Sequence, residues 1–338
     1  MTFRMPAETD RQDRAWLSFP IGEISDDYAD MEATRLAWAA VANSISEFQP
    51  ITVLVDPSEE NHARRHLSSA IEQSIVPLDS EWIRDNGPTF VHDDAGDVHA
   101  VGWQFNGWGW VSDEFDKDAR VPAHVAELAG TPLITSPLTN EGGGIHVDGQ
   151  GTVLLTETVQ LDPLRNLDWS KEQVEAELTE KIGATNFIWF KRGLTMDYFE
   201  GGTRGHVDML ATIPSPGRIL IHNQTNENHP DVLLSRHLRE RISNSTTPDG
   251  KAWEIIDMPA PTTIRDDDEL VAWNYVNHLV INDAVIACRF NDKSDDTAKQ
   301  VLAEAYPGRT IVTLDAREIF EGGGGIHCIT QQQPAPKR

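Results

Sequence analysis

Two cysteines occur in 338 residues, and one of them, Cys328, follows His327 at the end of Glu321-Gly322-Gly323-Gly324-Gly325-Ile326. A thiol attacks as its thiolate, and a neighbouring imidazolium or a cradle of backbone N–H groups lowers its pKa from about 8.5 toward neutral. A glycine run lets the main chain approach a ligand closely, although each glycine costs about 0.5 to 1 kcal/mol in regular structure. The stretch has an echo in Glu141-Gly142-Gly143-Gly144-Ile145-His146, where Val147-Asp148 stands in place of the cysteine. Gly201-Gly202-Thr203-Arg204-Gly205-His206-Val207-Asp208 is a third glycine-rich motif, and Glu81-Trp82-Ile83-Arg84-Asp85 adds a further carboxylate. The residues able to do chemistry together are therefore Asp85, Glu141, His146, His206, Asp208, His327 and Cys328. A thiolate attacking carbon, a histidine moving protons and carboxylates holding a cation would use them all. On a strand His206 and Asp208 would share a face. Cys288 ends the apolar run Ala284-Val285-Ile286-Ala287 and reads as an inert buried thiol.

The same donors are competent metal ligands. Against that, the chain has no HExxH and no paired cysteines, and His327 and Cys328 would diverge in extended backbone. Cysteine chemistry without metal or other cofactor is the expectation, with metal hydrolysis as the competing reading.

Several elements must carry these residues. Trp16 to Phe19 reads as a strand, Asp30 to Phe48 as a helix with Leu36, Ala40, Val41 and Ile45 at helical spacing, and Ile51 to Val55 as a buried strand. Glu59 to Gln73 reads as helix, and Glu81 to Pro88 as a short strand ending in a charged turn. Thr89 to Val91 is a strand, Val101 to Trp110 a strand and an aromatic loop, and Asp118 to Ala129 a helix. Strands at Thr152 to Glu157, Asn186 to Phe190, Arg218 to His222, Trp253 to Asp257, Val280 to Asn282, Ala284 to Cys288 and Thr310 to Leu314 alternate with helices at Ser170 to Ile182, Val232 to Ile242 and Asp295 to Ala305. The tail from Gln331 is expected to be mobile once past the glutamines. Asp85, His146 and His206 are spaced by about 60 residues and Cys328 by about twice that, the signature of repeated units that each lend a loop to one face. A doubly wound sheet would place one glycine-rich turn after the first strand, and none is there. The reading is α/β, with five ββαβ-like blades in a single domain.

Net charge is -26, from 28 basic and 54 acidic residues. Such a field repels nucleic acid and anionic membrane and favours cationic ligands, or serves solubility alone. Two cysteines exclude a disulfide scaffold and fit a reducing compartment. No stretch approaches the roughly 18 apolar residues of a membrane span. A cytoplasmic protein is expected.

Trp82-Ile83-Arg84-Asp85-Asn86-Gly87-Pro88-Thr89-Phe90, Phe105-Asn106-Gly107-Trp108-Gly109, Glu141 to Gly149, Gly205-His206-Val207-Asp208 and Ile326-His327-Cys328-Ile329-Thr330-Gln331-Gln332 occur in that order, with Arg4-Met5-Pro6-Ala7-Glu8 ahead of them. This series resembles that of the agmatine deiminases and the related bacterial peptidyl-arginine deiminases. The resemblance implies the pentein fold, a five-bladed pseudo-symmetric α/β propeller, in one catalytic domain spanning 1–338. It also implies hydrolysis of a small cationic guanidino compound, agmatine and water giving N-carbamoylputrescine and ammonia. By the same resemblance Cys328 is the nucleophile, Asp85 and Asp208 bind the guanidinium, and His206 is the general acid and base. Trp82 becomes a pocket wall, Glu141 a substrate contact or a cap on its glycine loop, and Asn277 a site-lining residue. Gly201-Gly202-Thr203-Arg204 departs from the family's usual acidic pair and threonine before the glycine-histidine motif. Arg204 there is suited to binding a carboxylate, which admits arginine, a modified arginine or a guanidino acid as substrate. Amidino transfer by the same thiol is a further alternative, and a homo-oligomer is compatible with the sequence.

Overall fold

The computed structural model describes residues 2–22, 30–199, 201–266 and 269–337. Five sheets among them follow one plan: an antiparallel pair, a helix, and a strand parallel to the second of the pair. The first blade is Thr89–His92, Val98–Gln104, helix Val121–Ala129 and Leu133–Thr139. The second is Ile145–Val147, Thr152–Thr156, helix Lys171–Ile182 and Asn186–Phe190. The third is Ala211–Ser215, Arg218–Asn223, helix Val232–Ser243 and Glu254–Pro259. The fourth is Leu279–Val280, Ala284–Arg289, helix Asp295–Ala305 and Thr310–Asp315. The fifth is assembled from both ends of the sequence: Thr330–Pro334 lies antiparallel to Gln12–Ser18, which is followed by helix Met31–Ser46, parallel Ile51–Val55 and then Glu72–Ile75. The arrangement is the five-bladed α/β propeller that the spacing and the resemblance predicted.

Local chemistry accounts for the regularity. Asp30 caps helix Met31–Ser46 by accepting from the amides of Glu32 and Ala33. Ser170 and Gln173 form a capping box at the start of helix Lys171–Ile182, and Gly183 ends that helix in the left-handed conformation. The middle strands are short apolar runs with both faces covered, and Leu17, Val53, Leu154, Leu220 and Ile286 belong to one core shared by four blades. No helix among the described residues is long and apolar enough to cross a membrane.

Several expectations need correction. Leu36 and Ala40 are exposed, and helix Met31–Ser46 instead buries Thr34, Trp38, Val41, Ala42 and Ile45. The helix expected over Glu59 to Gln73 runs only from Glu60 to His66, because the chain must turn to place Glu72–Ile75 beside Ile51–Val55. Glu81 to Pro88 contains a single helical turn, Ile83–Asn86, rather than a strand. Strand Leu133–Thr139 was not foreseen, since Pro137 and its alternating exposure disguise it as an edge. The tail is no free end: Thr330–Pro334 is a buried strand, and beyond it the Ala335 and Lys337 amides donate to the carbonyls of Arg11 and Gly96.

Candidate active site

Each chemical residue sits just ahead of a blade's first strand. Asp85 lies on the turn before Thr89–His92, and Glu141 and Gly143 precede Ile145–Val147. His206 and Asp208 precede Ala211–Ser215, Asn277 precedes Leu279–Val280, and Cys328 precedes Thr330–Pro334. Five blades thus send five loops to one place. The fourth step, which lacks a glycine-histidine motif, is filled by Asn277. His206 caps a 3-10 turn, Val207–Met209, and Asp208 lies within it, rather than the two lying on a strand.

The convergence is tight. A methyl group built on Gly143 would lie 2.6 Å from His206 Nδ1, 2.9 Å from Asp85 Oδ1 and 3.1 Å from Asp208 Oδ2. One built on Gly324 would lie 2.7 Å from the Trp82 ring and 3.1 Å from Cys328 Sγ. These glycines are there because the backbone passes through the site itself. Gly143→Ala is expected to lower turnover about 100-fold by displacing His206 and Asp85, with the melting temperature little changed; activity within a factor of a few of the parent would show that the three groups need not meet at this point.

Cys328 Sγ accepts from Asn277 Nδ2 at 3.1 Å and lies 3.5 Å from Asp208 Oδ2. Burial first, and then the charges of Asp208 and Asp85, push the thiol well above its ordinary value. The Gly325 backbone does lower it, as expected of the glycine loop, and so does Asn277, but burial and the two carboxylates outweigh both, and His327 does not provide the expected lowering. His327 is turned elsewhere, its ring nitrogens lying 2.9 Å from Asp208 Oδ2 and 2.9 Å from Glu8 Oε1. Its amide donates to Asn277 Oδ1 at 3.0 Å, so Asn277 holds the main chain of the cysteine loop with one end and the sulfur with the other. Cys288 is buried, pushed up to about 12 by that burial, and donates to the Asn277 carbonyl, as an inert supporting thiol would.

His206 lies between two carboxylates, with Nε2 3.3 Å from Glu141 Oε2 and Nδ1 3.7 Å from Asp85 Oδ1. Burial opposes its charge, but Asp85, Glu141 and Asp208 outweigh burial and raise it to about 9. Asp85 is raised chiefly by burial, and Asp208 and Glu141 add to the effect. Burial also works on Asp208, yet the hydrogen bond and charge of His327 bring it below the usual carboxylate range. Asp208 Oδ1 is buried without a hydrogen-bond partner among the described residues, which leaves an acceptor unpaired.

Other expected residues stand one step back. Glu141 neither caps its glycine loop nor is left free: Arg165 Nε donates to its oxygens at 2.8 and 3.1 Å, and burial is outweighed so that it falls to about 2. His146 faces Glu8 at 3.6 Å and accepts the Ile213 amide at 2.9 Å, behind the site rather than in it. Trp82 packs edge-on against Trp38 with ring centroids 6.1 Å apart, while its own ring borders Gly324. Arg204 is half exposed and pairs with Asp162 at 3.5 Å; Asp162 in turn holds Arg165.

The sequence reading missed Glu8, Arg165 and the role of Trp108. Glu8 is buried with His327, His146 and Arg84 around it and lies well below the usual carboxylate range. The Trp108 indole donates to Asp85 Oδ2 at 2.9 Å from a stretch in which Gly107, Trp108, Gly109 and Trp110 all have positive φ. Bulky residues rarely adopt that conformation, and its presence beside the buried carboxylate of Asp85 is the signal that Trp108 is more than core.

The profile of the Porphyromonas-type peptidyl-arginine deiminase family matches residues 4–334. A Streptomyces coelicolor chain provisionally named an agmatine deiminase is 44% identical over 339 residues, covering 99% of each chain. The agmatine deiminase of Pseudomonas aeruginosa is 33% identical over 361 residues, covering 99% of this chain and 96% of its own. The solved structure of an Enterococcus faecalis agmatine deiminase superimposes with a TM-score of 0.93 at 30% identity, over 98% of this chain and 96% of that one. Profile, relatives and fold agree along nearly the whole length, and the chain belongs to the Porphyromonas-type peptidyl-arginine deiminase family.

Proposed function

We propose that the site hydrolyses agmatine to N-carbamoylputrescine and ammonia. The observation that carries this reading is a single thiol set among buried carboxylates, Asp208 at 3.5 Å and Asp85 converging with it on the same point beside Gly143. A planar guanidinium is the small cation whose fork of donors matches two carboxylates. Its charge also offsets the pair that holds the Cys328 proton in place.

In the reaction the bound cation eases loss of the thiol proton to solvent, and Cys328 Sγ bonds to the guanidinium carbon. Imidazolium His206 protonates one terminal nitrogen, the carbon–nitrogen bond breaks, and ammonia leaves an amidino-thioether. Neutral His206 then takes a proton from water as its oxygen bonds to the same carbon. The carbon–sulfur bond breaks, leaving a urea and the restored cysteine. Glu141, fixed by Arg165, positions His206; Asn277 positions the sulfur; Trp82 covers the guanidinium face, a contact worth about 0.5 to 2 kcal/mol.

The pairing of Arg204 with Asp162 favours agmatine over carboxylated guanidines, because that cation already has an acidic partner. The test is ammonia release from agmatine, arginine, N-acylated arginine and guanidinobutyrate, with and without an amine acceptor. Agmatine is expected to be turned over most efficiently, with water as the acceptor. Arg204→Gln should leave the agmatine-to-arginine ratio within about threefold, as the loss of a half-exposed ion pair does. Preference for a carboxylated substrate that collapses in Arg204→Gln would assign Arg204 to carboxylate binding and overturn agmatine; an amidinated acceptor as main product would overturn hydrolysis.

A further inference from the structure

We infer that Glu32, His62 and His66 form a binding site for one first-row divalent metal ion of the zinc class, tying helix Met31–Ser46 to helix Glu60–His66. His62 and His66 are four residues apart on one helix and so share a face, and Glu32 comes from the first turn of the other helix. One ligand atom from each of the three lies within 4.8 Å of the others. His66 is only 8% exposed, and its Nε2 is 3.2 Å from Glu32 Oε1 without forming a hydrogen bond to it. His62 Nδ1 is likewise buried with no hydrogen-bond partner among the described residues. Buried ring nitrogens are seldom left so, and two of them beside a carboxylate are a donor set waiting for a Lewis acid.

Tetrahedral zinc, with bonds of about 2.0 to 2.1 Å, needs its ligand atoms about 3.3 Å apart, a distance that small side-chain rotations reach from here. The helices are already held in register by Arg35, whose Nε and Nη2 donate to Glu59 at 2.8 and 2.7 Å. Glu32 is half exposed, which gives an ion entry and leaves coordination positions to water. Two imidazoles and one carboxylate suit zinc and its neighbours, whereas magnesium and calcium favour sets made of oxygen.

The chain, freed of metal with a chelator, is titrated with Zn²⁺ against a chromophoric competitor, alongside Cys328→Ser, the double variant His62→Asn/His66→Asn, and Glu32→Gln. Wild type and Cys328→Ser are expected to bind one Zn²⁺ per chain and to melt at higher temperature with it. The double variant should bind about 100-fold more weakly or worse, and Glu32→Gln at least about tenfold more weakly. Without metal the variants at these three positions should match the wild type in melting temperature and ammonia release. Zinc binding that survives in the double variant, that disappears in Cys328→Ser, or that Mg²⁺ reproduces equally would overturn the site. If the double variant does not fold, unaltered binding by Glu32→Gln would do the same.

Discussion

Cys328→Ala is expected to cut ammonia release from agmatine by at least about 10⁴-fold, because it removes the atom proposed to bond to the guanidinium carbon. The fold should tolerate the change, since the lost sulfur gives up one contact to Asn277 and one to Asp208 while the backbone bond from Arg84 N to the Cys328 carbonyl is untouched. A circular dichroism melt beside the ammonia assay separates the two effects, and undiminished turnover in the folded variant would end the assignment. The resting state of the same sulfur gives an independent reading. With the thiol held well above its ordinary value by burial and two carboxylates, alkylation by iodoacetamide should be slow at pH 7 and accelerate steadily toward alkaline pH. Fast, pH-independent alkylation between pH 6 and 8 would mean that a thiolate stands there without substrate.

His206→Asn comes next in size, with turnover expected to fall about 10²- to 10⁴-fold, the range for removing a proton-transfer group. In the proposed mechanism both halves of the reaction use His206, so neither the first ammonia nor its repetition should escape the loss. The pH dependence carries the sign. Raised to about 9 by Asp85, Glu141 and Asp208 against the pull of burial, His206 is imidazolium below that pH and loses the proton needed by the leaving group above it. At saturating agmatine, where the bound cation has already released the thiol proton, the parent's kcat should therefore decline at alkaline pH, and the residual activity of His206→Asn should lack that limb. Persistence of the limb in the variant would assign it to another group.

Much of this was legible in the sequence because it is local or repeated. The glycine-histidine motifs and their regular spacing betray the blades, and alternation of short apolar runs with amphipathic helices fills them in. What could not be read depends on contacts made across the molecule. Ile83–Asn86 is helical because the Arg84 amide reaches the Cys328 carbonyl and Asp85 must meet Gly143, and no propensity within Glu81 to Pro88 records either demand. Glu8 is a surface residue by type, and only the approach of His327, 319 positions away, makes it a buried partner. Arg165 belongs to an unremarkable Pro-Leu-Arg-Asn turn until Glu141 and Asp162 are folded against it. The effect of His327 on its neighbour was misread for the opposite reason: adjacency in sequence says nothing about where a ring points.

The pairing of Gln12–Ser18 with Thr330–Pro334 bears on how such a molecule is made. A ribosome delivers the N-terminal strand first, yet its antiparallel neighbour emerges last, directly behind the thiol, and Glu8 waits equally long for His327. Four blades can condense in turn from neighbouring segments, while the fifth has to close a loop nearly as long as the molecule, the kind of distant contact that slows folding. Chemical competence thus arrives in a single late event: until the ring is sealed, the nascent polypeptide carries its carboxylates and histidines without the sulfur among them, and cannot act on its substrate.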